Sequence, residues 1–303
     1  MIIVKTHGGL GNQFFQYAAG KALADFHHTE FKFEISALGR YLPSGYCLDK
    51  FLISAPIATK EEISEFTKNE KEPEGFKKFF LERFNFLFPY FNFLLPYKRM
   101  KVYHERFFHY NKRFFDLSLD VYLVGYFQSE RYFDRVKDEI RKEFTLKDQN
   151  GAAFNFFAGK IKSGNSVSIH FRRGDYVTYS GLNKIFGVPS LEYYHAAVNC
   201  IASQVENPIF FIFSNDIEWV KNNFKLKFPV IYVTDPLLEF YEEMTLMSFC
   251  EHNIIANSSF SWWSAWLNNN PNKIVIAPKK WFQWWKINTR DIIPSGWVKI
   301  SNL

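Results

Sequence analysis

The chain has 303 residues, with 37 Lys and Arg against 31 Asp and Glu and a formal net charge of +6. Hydrophobic residues make up 47% and charged residues 22%, which describes a globular chain with a sizeable core and excludes a disordered or fibrous one. The three cysteines, Cys47, Cys200 and Cys250, are too few and too far apart for a disulfide-stapled scaffold or a local zinc site, and fit a reducing compartment.

Residues 2–6 (Ile-Ile-Val-Lys-Thr) read as a buried strand that ends at Gly8-Gly9-Leu10-Gly11. Phe14, Tyr17, Ala18, Leu23 and Phe26 then recur near helical spacing over 13–26, and Phe31–Ile35 alternates as a second strand. Residues 60–95 read as helical pieces punctuated by Pro56, Pro73, Pro89 and Pro96. A strand is expected over 121–127 and a helix over 129–143. The polar stretches Lys147–Gly151 and Ser163–Asn165 mark a domain boundary, placed near residue 155. Beyond it, strand-like runs at 166–171, 208–213, 229–233, 253–256 and 273–277 alternate with helical segments at 190–205, 216–224, 236–250 and 259–269. That rhythm predicts α/β architecture with a parallel sheet covered by helices.

Aromatic residues reach 20%, with 36 Phe in the chain, and they are densest between Phe76 and Phe115. Proline and asparagine interrupt this stretch well short of the roughly 20 apolar residues that a membrane helix needs. It is expected to be mainly core and domain-interface packing, with a minor share for an acceptor or for peripheral membrane contact. Met1–Lys5 has no signal-peptide core, so a cytoplasmic location is expected. Basic residues are spread along the chain, which argues against nucleic acid as a partner.

Four segments carry candidate chemistry. The glycine turn at Gly9 and Gly11, with Asn12, leads from strand to helix and suits a close ligand, or is a tight turn only. Phe14 stands where a dinucleotide fingerprint needs Gly or Ala. Arg172 and Arg173, with Asp175, follow the strand 166–171 that ends in His170-Phe171, where ligands bind in open α/β sheets, and His170 and Arg172, two residues apart, are expected to share a strand face. Paired guanidiniums there can grip a diphosphate, or can simply pair with Asp175. Asn215 and Asp216 close the next strand as a helix cap or as acceptors for a nucleotide. Ser258, Ser259 and Phe260 open a helix after the strand 253–256, a plausible phosphate cradle. Asn257-Ser258-Ser259 also matches a glycosylation triplet. No Asp-x-Asp metal–diphosphate pair is present, so cationic side chains would neutralise a diphosphate.

Taken together these segments resemble the α-1,2-fucosyltransferase family of inverting glycosyltransferases, bacterial type. The matching stretches are Gly8–Gly20, Gly125–Ser129, His170–Tyr176, Phe211–Asp216 and Ile255–Trp263, in the family's order. The resemblance implies a GT-B fold, two Rossmann-like domains facing a cleft. It implies an acceptor-side domain at 1–155 and a GDP-fucose-binding domain at 156–303. It further implies transfer of L-fucose from GDP-β-L-fucose to O2 of a terminal galactose on an oligosaccharide or glycolipid, with inversion, no required metal and no further cofactor. Arg172 would be the chief β-phosphate contact with Arg173 in support, and His170 would lie near the guanosine-phosphate region. Asp216 would read guanine or ribose, and Ser258, Ser259 and Phe260 would line the donor site. Gly9, Gly11 and Asn12 would face the donor from the other domain. Members often carry Asp-Asp where this chain has Asn215-Asp216. Asp175 is the first candidate for the base that deprotonates the acceptor, and Glu130 the second. Another GDP-sugar transferase, a nicotinamide oxidoreductase and a non-catalytic carbohydrate-binding protein are the rival readings.

Overall fold

The computed structural model describes residues 1–38, 45–68, 97–174, 177, 184–284 and 287–302. It divides into two compact units, Met1–Thr145 with Ile287–Ile292, and Leu146–Lys286 with Ile293–Leu303.

Unit 1 is built on β1 (Ile2–Lys5), α1 (Leu10–His27), β2 (Phe31–Glu34), α2 (Lys60–Thr67), β3 (Val102–His104), β4 (Val121–Val124) and α3 (Lys137–Glu143). Its strand order is β2-β1-β4-β3, and each pairing is parallel. Ile2, Ile3 and Val4 of β1 and Val121 and Leu123 of β4 are buried. The helix α1 lies close to the sheet because Gly20 lacks a Cβ, which would collide with Val4 and Phe31. The helix α2 starts at a reciprocal cap: Glu62 N–H donates to Thr59 Oγ1 at 3.2 Å, and Thr59 N–H to Glu62 Oε2 at 2.9 Å.

Unit 2 contains α4 (Ala152–Lys162), β5 (Ser166–Phe171), α5 (Leu191–Ala202), β6 (Ile209–Ser214), α6 (Ile217–Asn223), β7 (Val230–Tyr232), α7 (Phe240–Phe249), β8 (His252–Ile254), α8 (Ser259–Leu267), β9 (Val275–Pro278) and β10 (Val298–Ile300). Six parallel strands run in the order β10-β9-β8-β5-β6-β7. All of β5 is buried, as suits a central strand covered on both faces. Val167, Ile169, Phe210, Ile212 and Ile254 of the strands pack with Tyr193, Tyr194, Ala197 and Ile201 of α5. The α5 tyrosines also bind strand ends: Tyr193 Oη donates to Ile255 O at 2.6 Å, and Tyr194 Oη to His170 O at 3.1 Å.

The α/β class with parallel sheets is as expected, and several local readings differ. The units divide at Thr145–Leu146 rather than near 155. The intervening stretch is not a linker: α4 buries Phe154, Phe157, Ala158 and Ile161 within unit 2. The expected helix over 129–143 is α-helical only from Lys137. Two 3₁₀ turns, Glu130–Tyr132 and Asp134–Val136, precede it, because Phe133 at φ −133° and ψ 11° leaves the helical region. The short strands β3 and β10 lay outside the expected set. Within the Phe-rich stretch, Phe108 and Phe114 are buried and Phe107 is exposed, and residues 76–96 lie outside the described residues. Among the described residues, no helix is long and apolar enough to cross a membrane.

Candidate active site

In unit 2 the chain runs from β5 outward through β6 to β7. It then returns to place β8 on the other side of β5. The carboxyl ends of β5 and β8 therefore flank a point where the winding reverses, the place where open α/β sheets bind ligands. His170 is the penultimate residue of β5, and Ser258 caps α8 just after β8. The rings of His170 and Phe260 approach to 5.6 Å between centroids, joining the two strand ends. Ser258 Oγ accepts the Phe260 N–H at 3.3 Å.

His170 is buried, and its Nδ1 has no hydrogen-bond partner. Burial, reinforced by the Arg172 charge, holds its pKa down to about 3, so the imidazole is neutral. An unpaired buried ring nitrogen beside a cation is a polar group that a ligand can satisfy. Arg172 lies half-buried immediately beyond the last residue of β5. Strand alternation therefore does not set its direction, contrary to the expectation that it shares a strand face with His170.

Arg173 has a different environment. Its Nε donates to Asp216 Oδ2 at 3.3 Å, its main-chain N–H donates to Asn215 Oδ1 at 3.0 Å, and its guanidinium lies 3.3 Å over the Trp219 ring. Asp216 occupies the N-cap position of α6 but its side chain makes no capping bond, because it holds Arg173 instead. Asn215 seats the loop after β5, and a Cβ at Gly174 would collide with its amide. Ser259 opens α8 and is half-buried, as is Phe260. Asp175 lies outside the described residues.

Asn257 joins two further segments to this strand end. Its Nδ2 donates to Phe186 O at 2.8 Å, Gly187 O at 3.2 Å and Trp281 O at 3.1 Å. The residue is 2% exposed, so the glycosylation triplet has no accessible amide. Nothing in its sequence context announced this clamp, because its partners are carbonyls of distant loops.

Unit 1 repeats the arrangement, with β1 flanked by β2 and β4. Gly8 takes φ +82°, Gly9 caps α1, and Gly11 is buried in the first helical turn. Asn12 Oδ1 accepts from Gln128 Nε2 at 2.7 Å. His7, to which sequence reading gave no role, is buried with its ring 4.6 Å from that of Tyr126. The His7 main-chain N–H donates to Gln16 Oε1 at 3.1 Å, and Gln16 Nε2 donates to Gly125 O at 3.0 Å. Burial lowers the His7 pKa to about 4. Glu130, the second base candidate, opens a 3₁₀ turn in this unit. Gly9, Gly11 and Asn12 thus belong to one unit, and His170, Arg172, Arg173, Asp216, Ser258, Ser259 and Phe260 to the other.

The sequence profile of glycosyl transferase family 11 matches residues 1–301. The chain belongs to this family. An α-1,2-colitosyltransferase of Escherichia coli is 34% identical over 308 residues, covering 99% of each chain. A galactoside α-(1,2)-fucosyltransferase 1 of Plecturocebus brunneus is 28% identical over 154 residues, 48% of this chain and 42% of that one. Among solved structures, the NodZ α-1,6-fucosyltransferase soaked with GDP-fucose superposes with a TM-score of 0.51 at 13% identity, over 88% of this chain and 92% of that one. This family 11 glycosyltransferase is therefore of fucosyltransferase type, and its fold is GT-B with Rossmann-like units.

Proposed function

We propose that this glycosyltransferase moves L-fucose from GDP-β-L-fucose to O2 of a terminal galactose, with inversion and without a metal. The observation that carries the donor side is the unit 2 switch point. There an unpaired, buried His170 Nδ1 and the Arg172 guanidinium share the strand edge with the Ser258-capped start of α8. Charge grows on the leaving diphosphate as the bond to the sugar breaks, and a fixed guanidinium with helix-start amides stabilises it. Asp216 keeps Arg173 in place, so this pair shapes the pocket wall rather than supplying two independent ligand contacts. Asp175 takes the acceptor proton in this reading, with Glu130 as the alternative base. The galactoside acceptor is supported by the name of the α-(1,2)-fucosyltransferase relative.

A second donor reading is favoured by the full-length likeness to a colitosyltransferase. Colitosyl lacks the 3-hydroxyl of fucosyl, so the two donors differ by one polar group. The deciding experiment measures GDP release from GDP-fucose and from GDP-colitose against a set of galactosides, followed by linkage analysis of the product. GDP-fucose turnover with an α-1,2-linked product supports the first reading. Turnover with GDP-colitose alone replaces the donor, and an unchanged donor with every galactoside overturns the acceptor.

A further inference from the structure

Glu105 is the first residue past β3. Its main-chain N–H donates to Val124 O at 2.7 Å and extends the ladder with β4 by one step. The side chain is 2% exposed. The Tyr126 N–H donates to Oε2 at 2.7 Å, and the Phe127 N–H lies 3.1 Å from both carboxylate oxygens. These bonds hold the turn that leaves β4. Phe127 sits there at φ +54°, a left-handed conformation that a bulky residue adopts only under support from its surroundings. Gly125 must be glycine, because a Cβ would collide with the Glu105 side chain. One residue beyond Phe127, Gln128 donates to Asn12. A buried carboxylate, a strained turn and the first turn of α1 are therefore linked end to end.

We propose that Glu105 is a positioning residue: its carboxylate fixes the turn 125–128 and, through Gln128, sets the orientation of the Asn12 amide. The proposal rests on the reading that Asn12 faces the donor. Glu105 is not the acceptor's base, since both of its oxygens face main-chain N–H groups and the side chain is buried. Burial pushes its pKa up to about 7, against the pull of the Phe127 and Tyr126 N–H groups. The titratable groups that interact with it, Tyr103 and Tyr132, are themselves pushed up by burial and stay neutral, and Arg106 lies near Tyr103. The ionised carboxylate accepts the stronger hydrogen bonds, so the turn is held best above the Glu105 pKa.

The test compares the wild type with Glu105→Gln and Glu105→Ala, using GDP-fucose and lactose across the pH range around 7. Glu105→Ala should lower kcat by roughly ten-fold or more, with little change in KM, as expected for a misplaced group. Glu105→Gln keeps the shape and one acceptor oxygen. It should lose less and should flatten the rise of kcat with pH. The amide NMR signals of Tyr126 and Phe127 should titrate near pH 7 in the wild type and not in Glu105→Gln, a readout independent of activity. In an Asn12→Ala background, Glu105→Ala should cost little more, since the two act in series. Amide signals that ignore pH, or losses from the two substitutions that simply multiply, overturn the proposal. A wild type that releases no GDP from GDP-fucose removes the donor reading instead, and the amide titration then decides the clamp on its own.

Discussion

His170 and Phe260 are ninety positions apart in the chain, yet their rings lie 5.6 Å from each other. Parallel pairing of β5 with β8 brings about this contact, since Ile169 is level with Ile254 and both chains leave the sheet in the same direction. The two segments that meet there contribute a neutral imidazole, a guanidinium and a helix start. None of the three would bind a diphosphate well alone.

Arg172 is expected to carry the largest share of leaving-group stabilisation. A guanidinium can grip two phosphate oxygens in fixed geometry, whereas Lys offers one mobile charge. Arg172→Lys and Arg172→Ala should stay folded and lose on the order of 10²-fold in kcat. Circular dichroism checks the fold and GDP release checks the rate. A folded Arg172→Lys that retains more than about a third of wild-type kcat, a change under 1 kcal/mol, ends the bidentate role.

Nucleotide binding should follow the same edge. GDP alone should raise the melting temperature, because most contacts are expected on nucleotide and phosphate. UDP should do so less, and chelator should leave GDP-fucose turnover intact. Thermal shift assays and a chelator titration check this; equal stabilisation by UDP, or activity restored only by added Mg²⁺, contradicts it.

The buried histidines predict an acid-side loss of stability. The folded pKa is depressed from 6.5 to about 4 for His7 and to about 3 for His170. Below pH 6.5 the unfolded chain therefore binds more protons than the folded one. This part of the stability is complete above about pH 6.5 and declines as pH falls toward the folded values. Each histidine should cost about 2 kcal/mol by about pH 5, from 1.36 kcal/mol per unit. Melting curves between pH 7.5 and 5 should show the decline, and His170→Phe should make it shallower. An unchanged slope in that variant would mean that His170 is not the titrating group.

Asn257→Asp is a sharp test of the loop clamp. The substitution replaces an NH₂ that donates to three carbonyls with a carboxylate that donates nothing. A buried, unpaired charge facing carbonyl oxygens costs several kcal/mol. The variant should melt well below the wild type and should lose protection of the Ile185–Gly187 amides in hydrogen exchange. Wild-type protection there would remove the clamp.

Most of unit 2 was legible from its strands: Ile209–Ser214 reads as a near-continuous apolar run, and Ser166–Phe171 alternates Val167, Ile169 and Phe171 with Ser166, Ser168 and His170. The motifs after β5, β6 and β8 followed from that register. The helix α4 was missed although Phe154, Phe157, Ala158 and Ile161 fall at helical spacing. Its polar flanks masked it as a linker. The strands β3 and β10 have three residues each, and β10 is largely exposed, so neither carries a period. The Arg173–Asp216 pair and the Glu105 turn depend on tertiary partners 43 and 21 residues away, which no local pattern encodes.

The short segment Ile287–Ile292 belongs to unit 1 although the rest of the C-terminal third does not. Asp291 accepts the Tyr110 N–H at 3.1 Å and the Arg131 guanidinium at 3.0 Å. No single cut of the chain therefore yields a whole unit 1. A fragment stopping at Thr145 leaves Tyr110 and Arg131 without their carboxylate. During synthesis the same order applies: unit 1 waits for a segment that leaves the ribosome only after Leu146–Lys286 of unit 2. Its completion is thus tied to translation of nearly all of unit 2, so a chain that stops before Asp291 is left incomplete in both units.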